Sequence, residues 1–188
     1  MRHPFSAPKV PRQPVRRRRL PRALRRKVLI LAGLGLVALG FASLGRPAPI
    51  LVWNSSASAP MGLYLVLPET RPRTGDLVLV RPPAAITDLA ARRGYLPRGV
   101  PLIKQVAAMG GDDVCAKDDN LSINGDIVAQ RRRVDGNGRS LPRWEGCRRL
   151  LADEILLLMP APDSLDSRYF GPLPSLHVIG RLVSLWAG

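Results

Sequence analysis

The sequence predicts a mainly β domain over residues 46–188, preceded by one N-terminal transmembrane helix. Three features point there. Residues 28–45 form an uncharged apolar run of membrane-helix length. Beyond it, proline punctuates a series of short apolar runs. Gly 17 and Pro 19 in 188 residues exceed average usage and favour turns and short strands over a helical bundle. A hydrophobic fraction of 46% excludes a wholly disordered chain. Two Cys exclude a multi-disulfide scaffold and a Cys-rich zinc site. His3 and His177 leave little for a multi-histidine centre, so neither metal nor cofactor is expected.

The net charge of +15 is concentrated at one end. Residues 1–27 hold eleven Lys/Arg and no acid, which leaves 29 − 11 = 18 basic against 14 acidic residues in 28–188. Proline recurs through this arm without apolar period, the mark of a disordered segment. In isolation it suits nucleic acid or anionic lipid. The run that follows, VLILAGLGLVALGFASLG (28–45), changes this. As a helix it is roughly 27 Å long, against a bilayer core of about 30 Å. Lys27 and Arg46 bracket it. Basic residues crowd its N-terminal side, so the positive-inside rule places the arm in the cytoplasm and the body outside. The arm is then topogenic, and nucleic acid is not the expected partner. A cleaved leader is the competing reading, but both the arm and the apolar run are long for one.

The body, 46–188, reads as strands at Ile50–Trp53, Leu63–Leu67, Leu77–Val80, Leu102–Ala107, Ile155–Met159 and Val178–Leu185. Leu121–Asn124, Gly125 and Asp126–Val128 read as a hairpin, where Asn124-Gly125 suits a type I′ turn. Only Ala84–Arg93 looks helical. The run Pro49–Trp53 is expected in the core, although its Trp also suits an interface. Cys115 and Cys147 would both face an oxidising compartment, where they are expected to pair and close a polar excursion over 115–147. Unpaired thiols are the alternative.

Chemistry points away from His. A serine-hydrolase triad needs a His base. His177 is the only His in the body and sits in a strand-like run, His177-Val-Ile-Gly, where a packed or edge residue is expected. Lys104 is a better base. In a strand it shares a face with Leu102 and Val106, so its amine sits among apolar neighbours. Burial favours the neutral amine. A Lys with a pKa of about 10.4 is neutral about 0.04% of the time at pH 7, whereas one near 8 is neutral about 10% of the time. The competing reading is a strand Lys whose stem lies on the sheet with its amine in water. Nucleophile candidates cluster in Asn54-Ser-Ser-Ala-Ser-Ala-Pro-Met-Gly-Leu-Tyr64, which on composition alone is a Ser/Ala turn.

Taken together, these segments resemble the signal peptidase family of serine proteases, which use a Ser–Lys dyad. Ser58-Ala-Pro60-Met-Gly62-Leu-Tyr64 resembles its nucleophile box, in the form Asn-x-Ser/Thr-x-Ser-x-Pro-x-Gly-x-Tyr of the conjugative-transfer (TraF-type) branch. Gly75-Asp76-Leu-Val-Leu-Val80, Lys104 through Gly111-Asp112, and Ser164-Leu-Asp166-Ser167-Arg168-Tyr-Phe-Gly171 resemble three further boxes in the family's order. The likeness covers residues 50–185. It departs at Gly110, where Pro is usual, and at Gln105, where many members have Arg.

The resemblance implies a signal-peptidase-like β-sheet catalytic domain. Ser58 would be the nucleophile and Lys104 its base. The Ser58 N–H and the Ser56 hydroxyl would line the oxyanion hole. Ser164 would orient the amine, and Asp166 and Arg168 would support the site from beneath. It further implies a serine endopeptidase in the bacterial inner membrane, single-pass, with its catalytic domain in the periplasm. Its substrate would be an exported precursor, by resemblance a conjugative pilin, cleaved after a small residue by hydrolysis or joined to its own amine by cyclising aminolysis. The bilayer and other conjugative-transfer proteins are the remaining expected partners. A non-catalytic membrane assembly factor of a conjugation apparatus is the alternative.

Overall fold

The computed structural model describes residues 21–44, 49–68 and 71–187. Most of the basic arm, and residue 45 of the expected span, lie outside them. The chain divides into two units, Met1–Pro47 and Ala48–Gly188.

The described part of the first unit is helix α1, Arg22–Leu44. It starts within the arm, six residues before the apolar run. Arg22, Arg25, Arg26 and Lys27 occupy its first turns, and its uncharged stretch begins only at Val28. Among the described residues, no helix is long and apolar enough to cross a membrane.

The second unit is mainly β. Strands β1 (Leu51–Asn54), β2 (Gly62–Leu67), β3 (Leu77–Val80), β4 (Leu102–Met109), β9 (Glu154–Leu158), β10 (Leu173–Pro174) and β11 (Val178–Ala187) form one sheet, in the order β1-β2-β11-β3-β4-β9-β10. Strands β5 (Asp113–Lys117), β6 (Asn120–Ile123), β7 (Asp126–Gln130) and β8 (Gly146–Arg149) form a second, ordered β7-β6-β5-β8. All pairings are antiparallel. Helix α2 (Ala84–Arg92) follows Pro82-Pro83 and buries Ile86 and Ala90. A single turn, α3 (Ser167–Phe170), is capped by the Asp166 side chain.

The central strands are buried on both faces, which explains their unbroken apolar runs. Val78, Val80, Val106, Ile155 and Leu157 pack on one side. Leu79 and Ile103 pack on the other with Tyr64, Val66 and Leu182. Ala108, Leu156 and Leu158 of the larger sheet meet Val114, Ala116 and Leu121 of the smaller one, joining the two. The β6–β7 hairpin turns at Asn124 (φ 52°) and Gly125 (φ 94°), the left-handed pair of a type I′ turn. Gly110 is held by a close approach, since a Cβ there would lie 2.6 Å from the Ala152 Cα and the Leu151 carbonyl oxygen.

One expectation fails. Val52 packs on the core, but Leu51 and Trp53 face outward, and Trp53 stacks on Trp186 with ring centroids 5.7 Å apart. A strand alternates faces, so in this edge strand only every second apolar residue reaches the interior.

Candidate active site

Position 104 lies in β4, between β3 and β9, with Val78 as its cross-strand partner. Lys104 is therefore on a central strand and is 2% exposed. The reading of a surface lysine with a hydrated amine does not hold. Its Nζ donates to Ser164 Oγ at 2.8 Å. Burial lowers its pKa to about 8; Asp166 opposes this by favouring the ammonium, and Arg168 adds to it.

Ser58 sits in the turn between β1 and β2. Asn54, the buried last residue of β1, organises that turn from within. Its Nδ2 donates to the carbonyls of Ser56, Ala59 and Pro60, each at 3.0 Å. Its Oδ1 accepts the Ser56 N–H at 3.0 Å and the Ser56 hydroxyl at 2.9 Å. Tyr64 Oη closes the far side by donating to the Pro60 carbonyl at 2.7 Å. Ser56 and Ser58 Oγ lie 3.1 Å apart. The single hydroxyl proton of Ser56 is committed to Asn54, so Ser58 is the donor in that contact. The Ser58 backbone N–H has no acceptor among the described residues.

Ser56, Ser58, Lys104 and Ser164 line one cavity of about 460 Å³. Among the described residues no hydrogen bond joins Ser58 Oγ to Lys104 Nζ directly, so the Ser58 proton must leave Ser56 before the amine can take it. Catalytic contacts are often made only once substrate is bound.

Beneath the cavity, Asp166 and Arg168 gather the loop that carries Ser164. Asp166 accepts the N–H groups of Met159 and Arg168, each at 3.1 Å. The Arg168 guanidinium donates to the Ala161 and Met159 carbonyls and lies 3.5 Å from the Asp166 carboxylate. Burial raises the Asp166 pKa; the Arg168 charge and the two N–H donors oppose it. Neither side chain is more than 4% exposed, so both act on the site as fixed supports.

His177 lies apart, its Nδ1 2.8 Å from the Arg81 carbonyl oxygen. Cys115 and Cys147 are joined, opposite one another on β5 and β8. Among the described residues, no group of three His, Cys, Asp or Glu side chains is placed to hold a metal ion.

Sequence reasoning missed three contributors. Asn54 was legible only as a motif letter, because its role lies in bonds to backbone carbonyls that the turn alone creates. Ser167 accepts the Leu157 N–H through its Oγ at 3.0 Å, and Trp144 Nε1 donates to the Ser167 carbonyl at 2.8 Å. The first bond ties the Ser164–Arg168 loop to β9, and the second ties that loop to the excursion.

The family model described as signal peptidase, peptidase S26, matches residues 24–187. A probable conjugal transfer protein TraF of Sinorhizobium fredii is 35% identical over 68% of this chain and 72% of its own length. A conjugal transfer protein TraF of Agrobacterium fabrum is 36% identical over 78% of this chain and 87% of its own. A plasmid transfer protein TraF of Escherichia coli is 30% identical over 81% and 92%. A solved signal peptidase I of Enterococcus faecalis is 22% identical, covers 60% of this chain and 97% of its own, and superposes with a TM-score of 0.35, which adds nothing to the family match.

Proposed function

For a chain that belongs to the signal peptidase family, peptidase S26, we propose the activity of a membrane-anchored serine endopeptidase that processes an exported precursor through a Ser58–Lys104 dyad. The observation that carries this reading is a buried lysine amine on a central strand, hydrogen-bonded to Ser164 in the cavity that also holds Ser58.

With a pKa of about 8, Lys104 is neutral in about a tenth of molecules at pH 7, some two hundred times the fraction for an ordinary lysine. The neutral amine takes the Ser58 proton as Oγ attacks the scissile carbonyl. Negative charge on the carbonyl oxygen is met by the Ser58 N–H and by the Ser56 hydroxyl, which turns from Asn54 to donate. Lys104 then passes its proton to the departing amine, leaving an acyl ester on Ser58. A water molecule, deprotonated by Lys104, releases the new carboxyl end. If the substrate's own amine attacks the ester instead, the product is cyclic. Ser164 holds Lys104 Nζ in place, and Asp166 and Arg168 hold Ser164.

The TraF proteins it resembles are named for plasmid and conjugal transfer, which points to a conjugative pilin as precursor and to other transfer proteins as partners. The anchor in this reading is the segment around α1, with the basic arm in the cytoplasm and the catalytic domain in the periplasm of the inner membrane. Its described apolar residues, from Val28 onward, are exposed on every face, which suits lipid rather than water. The outward Trp53, Trp186 and Leu51 offer an apolar edge suited to the bilayer interface.

The test is precursor processing in cells carrying the wild type, Ser58→Ala or Lys104→Met. Uncleaved precursor in both variants, with normal levels of folded protein, is expected. Normal cleavage in either one overturns the dyad and favours a non-catalytic assembly factor.

A further inference from the structure

The arginine-rich stretch of the excursion has one member unlike the rest. Arg131 is 3% exposed and is spent on the Trp144 and Asp118 carbonyls and on Glu145. Arg133 and Arg143 both engage Asp119, at 3.2 and 2.8 Å. Arg139 pairs with Asp135 at 2.7 Å. Arg132 is exposed and, among the described residues, has no carboxylate partner. It lines the cavity that holds Ser58 and Lys104.

The wall that carries Arg132 is fixed at several points. The Arg132 N–H donates to Tyr169 Oη at 3.4 Å. The Leu141 N–H donates to the Arg133 carbonyl at 2.9 Å, and Val134 bridges Ser140. Asp135 is the hub of the next turn: it accepts from Tyr95 Oη and from Arg139, and lies 3.5 Å from Arg93. Arg93 also donates to the Ser140 carbonyl at 2.7 Å. The Cys115–Cys147 bond closes the base of the excursion. These bonds fix the backbone that carries Arg132, so its guanidinium is presented from a constant point on the wall.

Asp163 is the one carboxylate besides Asp135 on the cavity wall, and it forms no ion pair with Arg132 among the described residues. Apolar wall comes from residues such as Leu96, Leu102, Val134 and Leu165. A cation on a largely apolar wall beside a nucleophile is placed to read charge. We propose that Arg132 is a specificity-determining residue, and that it recognises an acidic side chain of the polypeptide whose scissile bond lies at Ser58. The inference rests on the peptidase reading and adds to it a charge preference in the substrate.

The test uses the full chain in detergent micelles with Ser58→Ala, so that binding is read without cleavage. The probes are fluorescein-labelled peptides built around a central Ala–Ala bond. Glu, Gln or Lys is placed in turn at each of the four positions on either side. Anisotropy should show one position where Glu binds about tenfold tighter than Gln, the size expected of one hydrogen bond between charged partners, and where Lys binds more weakly still. A further Arg132→Gln change should erase this preference, Arg132→Glu should turn it toward Lys, and Arg133→Gln should leave it intact. Equal binding of the three versions at every position, or a preference that survives Arg132→Gln, overturns the proposal. The same peptides offered to protein with Ser58 intact separate the two claims. An acidic preference in binding with no cleavage of any peptide supports the role of Arg132 and overturns the peptidase reading.

Discussion

Replacing Lys104 by methionine should remove activity and make the protein more stable. Lys104 has a pKa of about 8, against 10.5 for an ordinary lysine. The unfolded chain binds the proton more tightly, so between those two values stability rises with pH. Below about pH 8 the full cost of holding the amine out of water is present, and above 10.5 it is gone. One pH unit is worth about 1.4 kcal/mol, so the cost at pH 7 is about 3 kcal/mol. Methionine has similar length and no charge. It also leaves Ser164 without its donor, which returns about 1 kcal/mol. The net expectation is a gain of about 2 kcal/mol at neutral pH. Urea unfolding of wild type and Lys104→Met at pH 7 and pH 10.5 measures it. The variant should lead at pH 7, and at pH 10.5 that lead should be gone, since the charge cost has nearly vanished while the lost Ser164 bond remains. A variant no more stable than wild type at pH 7, or a difference that does not change with pH, refutes the burial argument.

Peptide cleavage should follow the neutral amine, rising steeply from pH 6 to 8 and then only about twofold from pH 8 to 10, whereas an ordinary lysine would give a further rise of about seventyfold over that last interval. Asn54→Ala should cost about a hundredfold in kcat, with a smaller change in KM, because it frees the turn that aims Ser58; steady-state kinetics on peptide substrates reads this. Replacing both Cys115 and Cys147 with Ser should lower stability by about 3–4 kcal/mol in the chain-entropy account, which reduction of the wild type followed by urea unfolding should reproduce.

The sequence made the central strands legible because burial on both faces leaves unbroken apolar runs, as at Leu77–Val80. Lys104 was legible for the same reason in reverse: strand alternation puts a charged residue on the face of Val78 and Val106 and makes it conspicuous. Strand β8, Gly146–Arg149, was not legible, because all four of its residues are exposed and nothing in its pattern marks a strand. Its pairing with β5 is a tertiary event, held at Cys115 and Cys147. Trp53 was misjudged because composition does not say which face of an edge strand is covered. The excursion looked like unexplained charge. Its arginines are mostly consumed by carboxylates of the same excursion, Asp119, Asp135 and Glu145, and only folding shows that Arg132 is left at the cavity. Gly110, a departure from the usual family residue, follows from the backbone at Ala152, forty-two residues away.

The most direct measurement is titration of the Lys104 amine itself, by carbon-13 NMR of its Cε in the folded Ser58→Ala protein, with Lys104→Met to assign the signal. The account predicts a midpoint near 8; a midpoint at the ordinary lysine value would contradict it.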